Sequence, residues 1–487
     1  MAAADNAYSS HGHDERLKLS PATRIFHSLK YDSYIVAIIG FKTSIDPNLI
    51  KTGLEQTLIK HPRFSSKLVK DEGWIPSSVN LEEHVIVASI DEQIDDPDRF
   101  MEDYISHMTK TPLDFCRPLW ELHILNLKTS QSEASVVFRI HHSVGDGVSL
   151  MSLLLSCTRQ TSDPEKLPTL PAMNPTQKSS SATTNFNSIW QFWLAVWSAV
   201  LLVWNTVVDF VMYAATILFL KDTNTPIKGQ KGCEFAVNRF VHRTVSLDDI
   251  KLIKDAMNAT VNDVLVGVTQ AGFSQYLNRR YGDTHGKDDK GNYLPKGIRL
   301  RARIAVNLRP VKGIQALADL MSNGTKTKWG NLYGFILLPF KIALRDDPLD
   351  YVRAAKSTVD RKKNSGGIFC TYLLNKIILK TLGIKTAARV SHRAAFNITT
   401  GFSNMVGPIE EISFYGHPLS YIAVAVYGFP RALSIQFQSY VNKMTMALGV
   451  DPNVIPDPHQ LLDDMEESLK LIKEAVLKQR LAAVEAV

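Results

Sequence analysis

Cysteine is scarce in this chain of 487 residues, which contains only four. They stand far apart, at Cys116, Cys157, Cys233 and Cys370, and form no C-x-x-C pair. This spacing argues against a disulfide framework and against a cysteine-based zinc site. A reduced compartment is the simplest interpretation.

Motifs of nucleic-acid-binding proteins are also missing, so nucleic acid is not an expected partner. The polar first 18 residues contain no apolar run; no secretory signal peptide is expected, and residues 1–18 are predicted to be disordered. The net charge of +7 is mildly basic. It suits an anionic partner, such as a nucleotide-bearing substrate or an anionic membrane face.

The composition, 45% hydrophobic and 21% charged, is typical of a globular protein. Its length allows two or more domains. Residues 19–160 are predicted to form a mixed α/β domain, with strands at 34–41 and 134–140 and a leucine-rich helix behind them. Residues 161–188 contain four prolines and no periodicity, which predicts a linker.

A second mixed α/β domain is predicted over residues 233–487. The runs RIAVNLRP and YIAVAVYGF are typical of strands, and two further strands should flank a turn at Asn442 and Lys443. The last helix is expected to begin at Asp457 and Pro458, an N-cap followed by a first-turn proline.

An apolar segment, residues 189–220, follows the linker. Its four tryptophans are Trp190, Trp193, Trp197 and Trp204. Their spacings of three, four and seven put them on one face of a helix. The segment is long enough to cross a bilayer, which needs about 20 apolar residues.

Three interpretations of this segment stay open: a membrane span, a helix lying in the membrane interface, and a core helix between domains. Asn205 and Asp209 make a span costly. The tryptophans, followed by Lys221, Lys228 and Lys231, fit an interfacial helix. We expect a membrane-associated helix.

The stretch RIHHSVGDG, residues 139–147, lies between a predicted strand and a predicted helix. Gly145 and Gly147 permit tight backbone geometry where the chain leaves the sheet. Side chains displayed at such strand ends are often functional.

The histidines and the acid of this loop, His141, His142 and Asp146, allow three interpretations: metal binding, a structural turn, and general-base catalysis. Adjacent histidines diverge, which disfavours a metal, and we favour catalysis. Asp146 is expected to orient the imidazole or to brace the loop through an ion pair. Because no G-x-S-x-G motif accompanies the loop, the base would act directly on a hydroxyl or amine of the substrate.

HHSVGDG resembles the HHxxxDG motif of acyl-CoA-dependent acyltransferases with the chloramphenicol-acetyltransferase-like fold. The blocks TPLDFCRPLWELHIL, TVNDVLVGVTQAGFSQYL, WGNLYGFILLPF and SNMVGPIEEISFYGHPL resemble those of the plant wax ester synthase/diacylglycerol acyltransferase family. The resemblance runs from about Leu19 to Val476. The D-F-G-W-G motif of plant alcohol acyltransferases is absent, which weighs against flavour-ester or phenolic substrates.

The resemblance implies two related α/β domains, with mixed sheets flanked by helices and a substrate tunnel between them. His142 would accept the proton of the alcohol, His141 would support the loop, and Asp146 would be structural, turned away from substrate. Gly147 would allow close approach of substrate. Acyl-CoA would be a co-substrate, with no cofactor and no metal.

Three further positions, Trp120, Asn262 and Asn404, are expected to bind substrate by the same resemblance. Each has a structural alternative. Trp120 fits core packing. Asn262 lies within a capping box formed by Thr260 and Asp263. Asn404 lies in GFSNMVGP, expected to be a loop bounding the site or a turn between strands.

The implied activity joins a long-chain acyl group to a long-chain alcohol, giving a wax ester, with diacylglycerol as a second acceptor. The expected location is the endoplasmic reticulum membrane, with the plasma membrane as a second site and the catalytic domains facing the cytosol. One alternative is a non-catalytic, membrane-bound lipid-binding or scaffold protein on the same fold. Another is an enzyme that uses an amine or a short-chain acceptor.

Overall fold

A computed structural model describes residues 23–25, 32–69, 72–90, 94–171, 188–282, 292–308, 329 and 331–485. The segment predicted to be disordered, 1–18, lies outside the described residues, as does the larger part of the predicted linker.

The described strands form two large mixed sheets and one small hairpin. The strands are β1 (Tyr34–Phe41), β2 (Ser66–Val69), β3 (Gly73–Pro76), β4 (Val85–Val87), β5 (Trp120–Leu125), β6 (Ala134–His141), β7 (Thr158–Gln160), β8 (Arg239–Ser246), β9 (Leu300–Asn307), β10 (Tyr333–Phe340), β11 (Thr400–Met405), β12 (Ile412–Phe414), β13 (His417–Tyr427), β14 (Leu433–Tyr440) and β15 (Lys443–Val450).

Helices connect these strands and pack on the sheets, and the first half of one helix projects from the body. They are α1 (Pro47–Gln56), α2 (Leu81–His84), α3 (Pro97–Met108), α4 (Gly147–Cys157), α5 (Ser188–Leu218), α6 (Leu247–Ala256), α7 (Val261–Gly282), α8 (Leu349–Lys363), α9 (Gly367–Thr381), α10 (Gly383–Phe396) and α11 (Pro458–Glu485).

The first large sheet has the strand order β4-β5-β6-β1-β13-β12-β7. Its central strand β1 is rich in β-branched residues, which suits a buried strand, and it pairs antiparallel with both β6 and β13. Strands β12 and β13 follow the apolar segment in sequence by some 200 residues, yet they complete this sheet. The two parts of the chain therefore share one sheet.

The second large sheet has the order β10-β9-β11-β14-β15-β8. β11 lies parallel to both β9 and β14, at its centre. The stretch GFSNMVGP was expected to be a loop, and this expectation is wrong: it continues β11 as far as Met405. Strand pairing on both sides explains the difference, because it satisfies the backbone groups that a loop would leave to solvent.

Most predicted strands are confirmed, with small corrections at their ends. β1 has the predicted bounds, while β6 continues one residue further than expected, to His141. The last hairpin turns at Val441 and Asn442 rather than at Asn442 and Lys443. Tyr440 pairs with Lys443 across the ladder, and Val441 takes a left-handed φ of 55° between them.

Helix α5 is exposed along most of its length, so a core helix between domains is the wrong interpretation. The four tryptophans Trp190, Trp193, Trp197 and Trp204 are 59–65% exposed. Within Trp190–Leu218, the most apolar 18-residue window has a mean hydropathy of 1.8 and contains no buried residue. Apolar residues surround its first half on every side rather than on one face.

The second half of α5 packs on the body. The two polar residues that argued against a span both meet the α8–α9 junction: Asn205 Nδ2 donates to the carbonyl of Asn364 (3.0 Å), and Asp209 accepts from Lys362 Nζ (2.6 Å). Lys228 was expected to face a membrane surface; it is instead buried, with Nζ donating to the carbonyl of Ile398 (2.6 Å).

Candidate active site

A cavity of about 320 Å³ lies between the first sheet and its helices and extends to the second sheet. Its floor consists of three rows of apolar side chains on one face of the first sheet. The rows, read across β6, β1 and β13, are Ile140-Ile35-Val426, Phe138-Ala37-Val424 and Val136-Ile39-Ile422. The two-residue period of a strand puts all nine on the same face.

Helices α1 and α4 form the opposite wall of this apolar part. Leu54 comes from α1, while Leu150, Leu154 and Cys157 come from successive turns of α4. The first and third rows are four residues apart along each strand, so the floor is about 13 Å long at about 3.3 Å per residue. The cavity can therefore hold an extended apolar chain.

The loop between β6 and α4 stands at one end of this floor. Asp146 is the N-cap of α4: one carboxylate oxygen accepts from the backbone N–H of Ser149 (3.0 Å). The other accepts from the backbone N–H of Leu332, in the segment before β10 (3.1 Å). Asp146 thus ties the loop to the second part of the chain. The ion pair expected of it stays a prediction.

Trp329 and Asn331 hold the same loop at two more points. The indole N–H of Trp329 donates to the carbonyl of Val144 (2.8 Å), and Asn331 Nδ2 donates to the carbonyl of His142 (2.8 Å). These positions were not predicted to act on the loop. The quoted block WGNLYGFILLPF contained them, but no local pattern shows which loop they contact.

The two histidines point in opposite directions. His141 is fully buried and does not line the cavity. Its Nδ1 accepts from the backbone N–H of Ser143 (3.2 Å), and its Nε2 lies 3.5 Å from a carboxylate oxygen of Asp32. Tyr34 and Phe115 contact the ring edge to face. The arrangement gives His141 a supporting place in the loop.

His142 faces the cavity. Burial lowers its pKa to about 4, and the nearby charges of His141 and Arg431 act in the same direction, while Asp146 opposes them. Its imidazole is therefore neutral at physiological pH, the form that can accept a proton. The backbone N–H of His142 donates to the carbonyl of Ser33 (2.8 Å), which anchors the residue to the end of β1.

Arg431 is a cavity residue that the sequence did not indicate. Its guanidinium stacks on Phe429 at 4.4 Å, and Phe429 in turn stands edge to face with His142 at 5.9 Å. Gly401 makes room for it, because a Cβ there would come within 2.6 Å of the guanidinium carbon. A fixed positive charge thus lies beside the histidine.

The glycines of the loop serve close approach rather than unusual backbone geometry. Neither Gly145 nor Gly147 has a positive φ. A Cβ on Gly147 would lie 2.8 Å from the end of Met405, and one on Gly145 would lie 3.3 Å from the Cβ of Ser149. Gly147 lines the cavity, where the lack of a side chain leaves its backbone accessible.

Trp120 does not line the cavity. It is fully buried, stacks on His84 at 4.3 Å, and donates its indole N–H to the carbonyl of Phe64 (2.9 Å). The expected substrate contact therefore has no support in the structure. The core-packing alternative describes this residue.

Asn262 and Asn404 contact each other, with Nδ2 of Asn404 donating to Oδ1 of Asn262 (2.8 Å). Neither lines the cavity, although the residues on either side of Asn404 do. The capping box is present at the start of α7. Asp263 accepts from the backbone N–H of Thr260 (2.8 Å), and the Thr260 hydroxyl accepts in return (3.3 Å).

Cys157 is the one cysteine among the described residues that line the cavity. Burial raises the pKa of its thiol, which keeps it protonated and a poor nucleophile. In the described part of the chain, no three His, Cys, Asp or Glu side chains lie close enough to hold a metal ion. Among the described residues that line the cavity, His142 is the neutral imidazole that can accept a proton, whereas the carboxylate of Asp146, which also lines it, accepts from Ser149 N and Leu332 N.

Solved structures with the same architecture define the class of fold. The chain matches the wax ester synthase/diacylglycerol acyltransferase from Marinobacter aquaeolei VT8 with a TM-score of 0.58 at 17% identity, over 94% of this chain and 99% of that one. It matches the first condensation domain of the calcium-dependent antibiotic synthetase with a TM-score of 0.52 at 13% identity, over 92% of this chain and 91% of that one. The fold is the two-domain, chloramphenicol-acetyltransferase-like one.

Sequence comparison identifies the family. The family model of the wax ester synthase/diacylglycerol acyltransferase catalytic domain matches residues 55–265, and that of the C-terminal domain matches residues 329–473. Wax ester synthase/diacylglycerol acyltransferase 5 of Arabidopsis thaliana is 53% identical over 481 residues, covering 95% of this chain and 94% of its own. Wax ester synthase/diacylglycerol acyltransferase 4 of the same plant is 53% identical over 477 residues, covering 96% of this chain and 91% of its own. The chain belongs to this family, and the protein is an acyltransferase.

Proposed function

We propose that this protein transfers a long-chain acyl group from acyl-CoA to a long-chain alcohol, with diacylglycerol as a second acceptor. The observation that carries the proposal is a neutral histidine, His142, at one end of an apolar floor long enough for an extended chain. The names of the family and of its Arabidopsis members agree with these substrates.

In this proposal His142 is the general base. It takes the proton of the alcohol hydroxyl as the alcohol oxygen attacks the thioester carbonyl. The C–S bond then breaks, and the CoA thiolate receives the proton from the imidazolium. The positive charge of Arg431 favours the negative charge that develops on the carbonyl oxygen.

The acyl chain would lie along the floor formed by β6, β1 and β13. Its walls are aliphatic and aromatic, so a chain there exchanges water for apolar contacts. A short acyl chain would leave most of this surface unused, so the floor favours a long-chain acyl donor. The alternative of an amine or short-chain acceptor stays a prediction to be tested with the acceptor itself.

Purified protein incubated with labelled palmitoyl-CoA and either hexadecanol or diacylglycerol tests the activity, with the lipid products separated. His142→Ala should lower ester formation by roughly 10²–10⁴ while the melting curve is retained. Near-full turnover by this variant would place the base elsewhere. A wild-type protein that retains lipid but forms no ester would be the non-catalytic alternative.

We also propose that α5 holds the protein on the endoplasmic reticulum membrane, with the plasma membrane as a second location and the catalytic domains in the cytosol. Trp190–Leu218 would reach about 42 Å as a straight helix, more than the roughly 30 Å of hydrocarbon in a bilayer. A span of about 20 residues starting at Trp190 ends near Asp209, where the helix reaches Lys362 of the body. In such a span Asp209 would lie at the end of the hydrocarbon layer and not in its middle, so its charge would not make the span costly.

Fractionation tests the attachment. If α5 spans the bilayer, the protein stays in the membrane fraction after carbonate extraction and after the four tryptophans of α5 are replaced by serine. If α5 lies in the interface, that replacement releases the protein into the soluble fraction. Recovery of the wild-type protein in the soluble fraction alone would refute membrane attachment.

A further inference from the structure

We propose that the exposed face of α9 rests on the same bilayer as α5, and that the lipid acceptor enters the cavity from the bilayer beside α9. The inference rests on the proposed acyl transfer and on the proposed membrane attachment of α5. It concerns a surface and an entry route that neither of those proposals involves.

An apolar stripe runs along α9. Phe369, Leu373, Ile377 and the following Leu382 recur every four or five residues and are 63%, 51%, 56% and 62% exposed. Spacing of four puts the first three on one helix face. Contiguous exposed apolar surface of this kind marks a contact with a partner or a membrane.

The stripe begins where α5 leaves the body. A Cβ on Gly367, the first residue of α9, would lie 2.9 Å from the side chain of Asp209. One helical turn further along α5, the Tyr213 hydroxyl meets the side-chain amide of Asn375 (3.4 Å). A bilayer that holds α5 is therefore within reach of Phe369.

Charge favours a lipid surface over a second copy of this chain. No aspartate or glutamate occurs between Asp360 and Glu410. The cations of α9 and α10 are Lys376, Lys380, Lys385, Arg389 and Arg393. The three lysines make no ion pair among the described residues. Two copies meeting through this face would repel each other, whereas anionic headgroups complement it.

The cavity reaches the surface at this face. Tyr372, Asn375 and Lys376 of α9 and Ser391 of α10 all line it, and Lys376 is also exposed to solvent. From there the cavity continues past Tyr333 and Phe335 of β10 to the catalytic loop.

Helix α9 is fixed against the edge strand at this point. The Thr371 hydroxyl accepts from the backbone N–H of Phe335 (3.2 Å) and donates to its carbonyl (3.0 Å). Gly334 permits this closeness, since a Cβ there would lie 2.6 Å from Ile368. The contact surface and the cavity mouth are thus two sides of one helix.

Leu373→Glu tests the contact surface, with Leu49→Glu on α1 as a control of matched exposure, 51% against 52%. The full-length proteins are floated with vesicles of phosphatidylcholine and phosphatidylserine. Turnover is measured with hexadecanol in those vesicles and with water-soluble butanol. Leu373→Glu should bind vesicles about tenfold less and esterify hexadecanol correspondingly less, because burying one leucine is worth at least that factor. Its turnover of butanol should match wild type, and Leu49→Glu should match wild type in every assay.

Ser391→Trp tests the entry route separately. Narrowing the mouth should lower the ratio of hexadecanol to butanol turnover while vesicle binding is unchanged. An unchanged ratio would refute entry at this point. Equal vesicle binding by Leu373→Glu and Leu49→Glu would refute the contact surface, as would conversion of a dimer to a monomer by Leu373→Glu alone. Failure of wild-type protein to esterify either alcohol would instead refute the proposed acyl transfer.

Discussion

Replacing Asp146 by asparagine tests how the catalytic loop is held. Its two carboxylate oxygens accept from two backbone donors, Ser149 N and Leu332 N. Asparagine keeps one acceptor oxygen and places an NH₂ group against the other backbone N–H, whichever way the amide is turned. One hydrogen bond is lost, and a backbone donor of either the buried Ser149 or the half-buried Leu332 is left without its acceptor.

The cost follows from that lost bond. A buried donor left without an acceptor costs about 1–3 kcal/mol. We expect the free energy of unfolding to fall by about this amount. Asp96→Asn is the matched control, because Asp96 is an exposed N-cap whose carboxylate accepts, among the described residues, from the backbone N–H of Arg99 (3.0 Å). Asparagine caps helices as well as aspartate does, so this variant should change stability by only a few tenths of a kcal/mol.

Urea denaturation followed by circular dichroism measures both variants, and ester formation is assayed on the same samples. Turnover should fall in Asp146→Asn as well, because the carboxylate raises the pKa of His142 and its loss makes the base weaker. The reasoning is refuted if Asp146→Asn unfolds at the same urea concentration as Asp96→Asn. Lost turnover with unchanged stability would point to a direct catalytic role for Asp146.

Three further outcomes are expected. Burial lowers the pKa of His61, His142 and His242 from 6.5 to about 4, so the unfolded chain binds more protons than the folded one between these values. Stability should therefore be complete above pH 6.5 and decline as pH falls toward 4, and a melting temperature that stays constant across that range would contradict this. Trp120→Ala should cost about 3–5 kcal/mol in urea denaturation, as for a core residue, and a loss below 1 kcal/mol would reopen a surface role. Leu154→Trp should shift preference from palmitoyl-CoA toward octanoyl-CoA by filling the apolar part of the cavity; an unchanged ratio of the two rates would place the acyl chain elsewhere.

Local sequence patterns were enough to predict the individual elements. The β-branched run of β1, the reciprocal capping box of Thr260 and Asp263 and the apolar length of α5 each depend on neighbours within a few positions. Helix caps and strand periods act over one to four residues, so they can be read without knowledge of the fold. The motif HHSVGDG was recognisable for the same reason, and it led to His142 and to the family.

Contacts between distant parts of the chain decided the rest. Strand β13 joins β1 in the first sheet, and β11 pairs on both sides where a loop was expected. Lys228 is buried where its Nζ donates to the carbonyl of Ile398, just after α10. The same holds for the site: Asp146 binds Leu332, and Arg431 comes beside His142 only because the loop after β13 reaches the end of β6. Such contacts depend on which strands pair and how closely helices pack on them, and a period of two or 3.6 residues carries no information about partners hundreds of residues away.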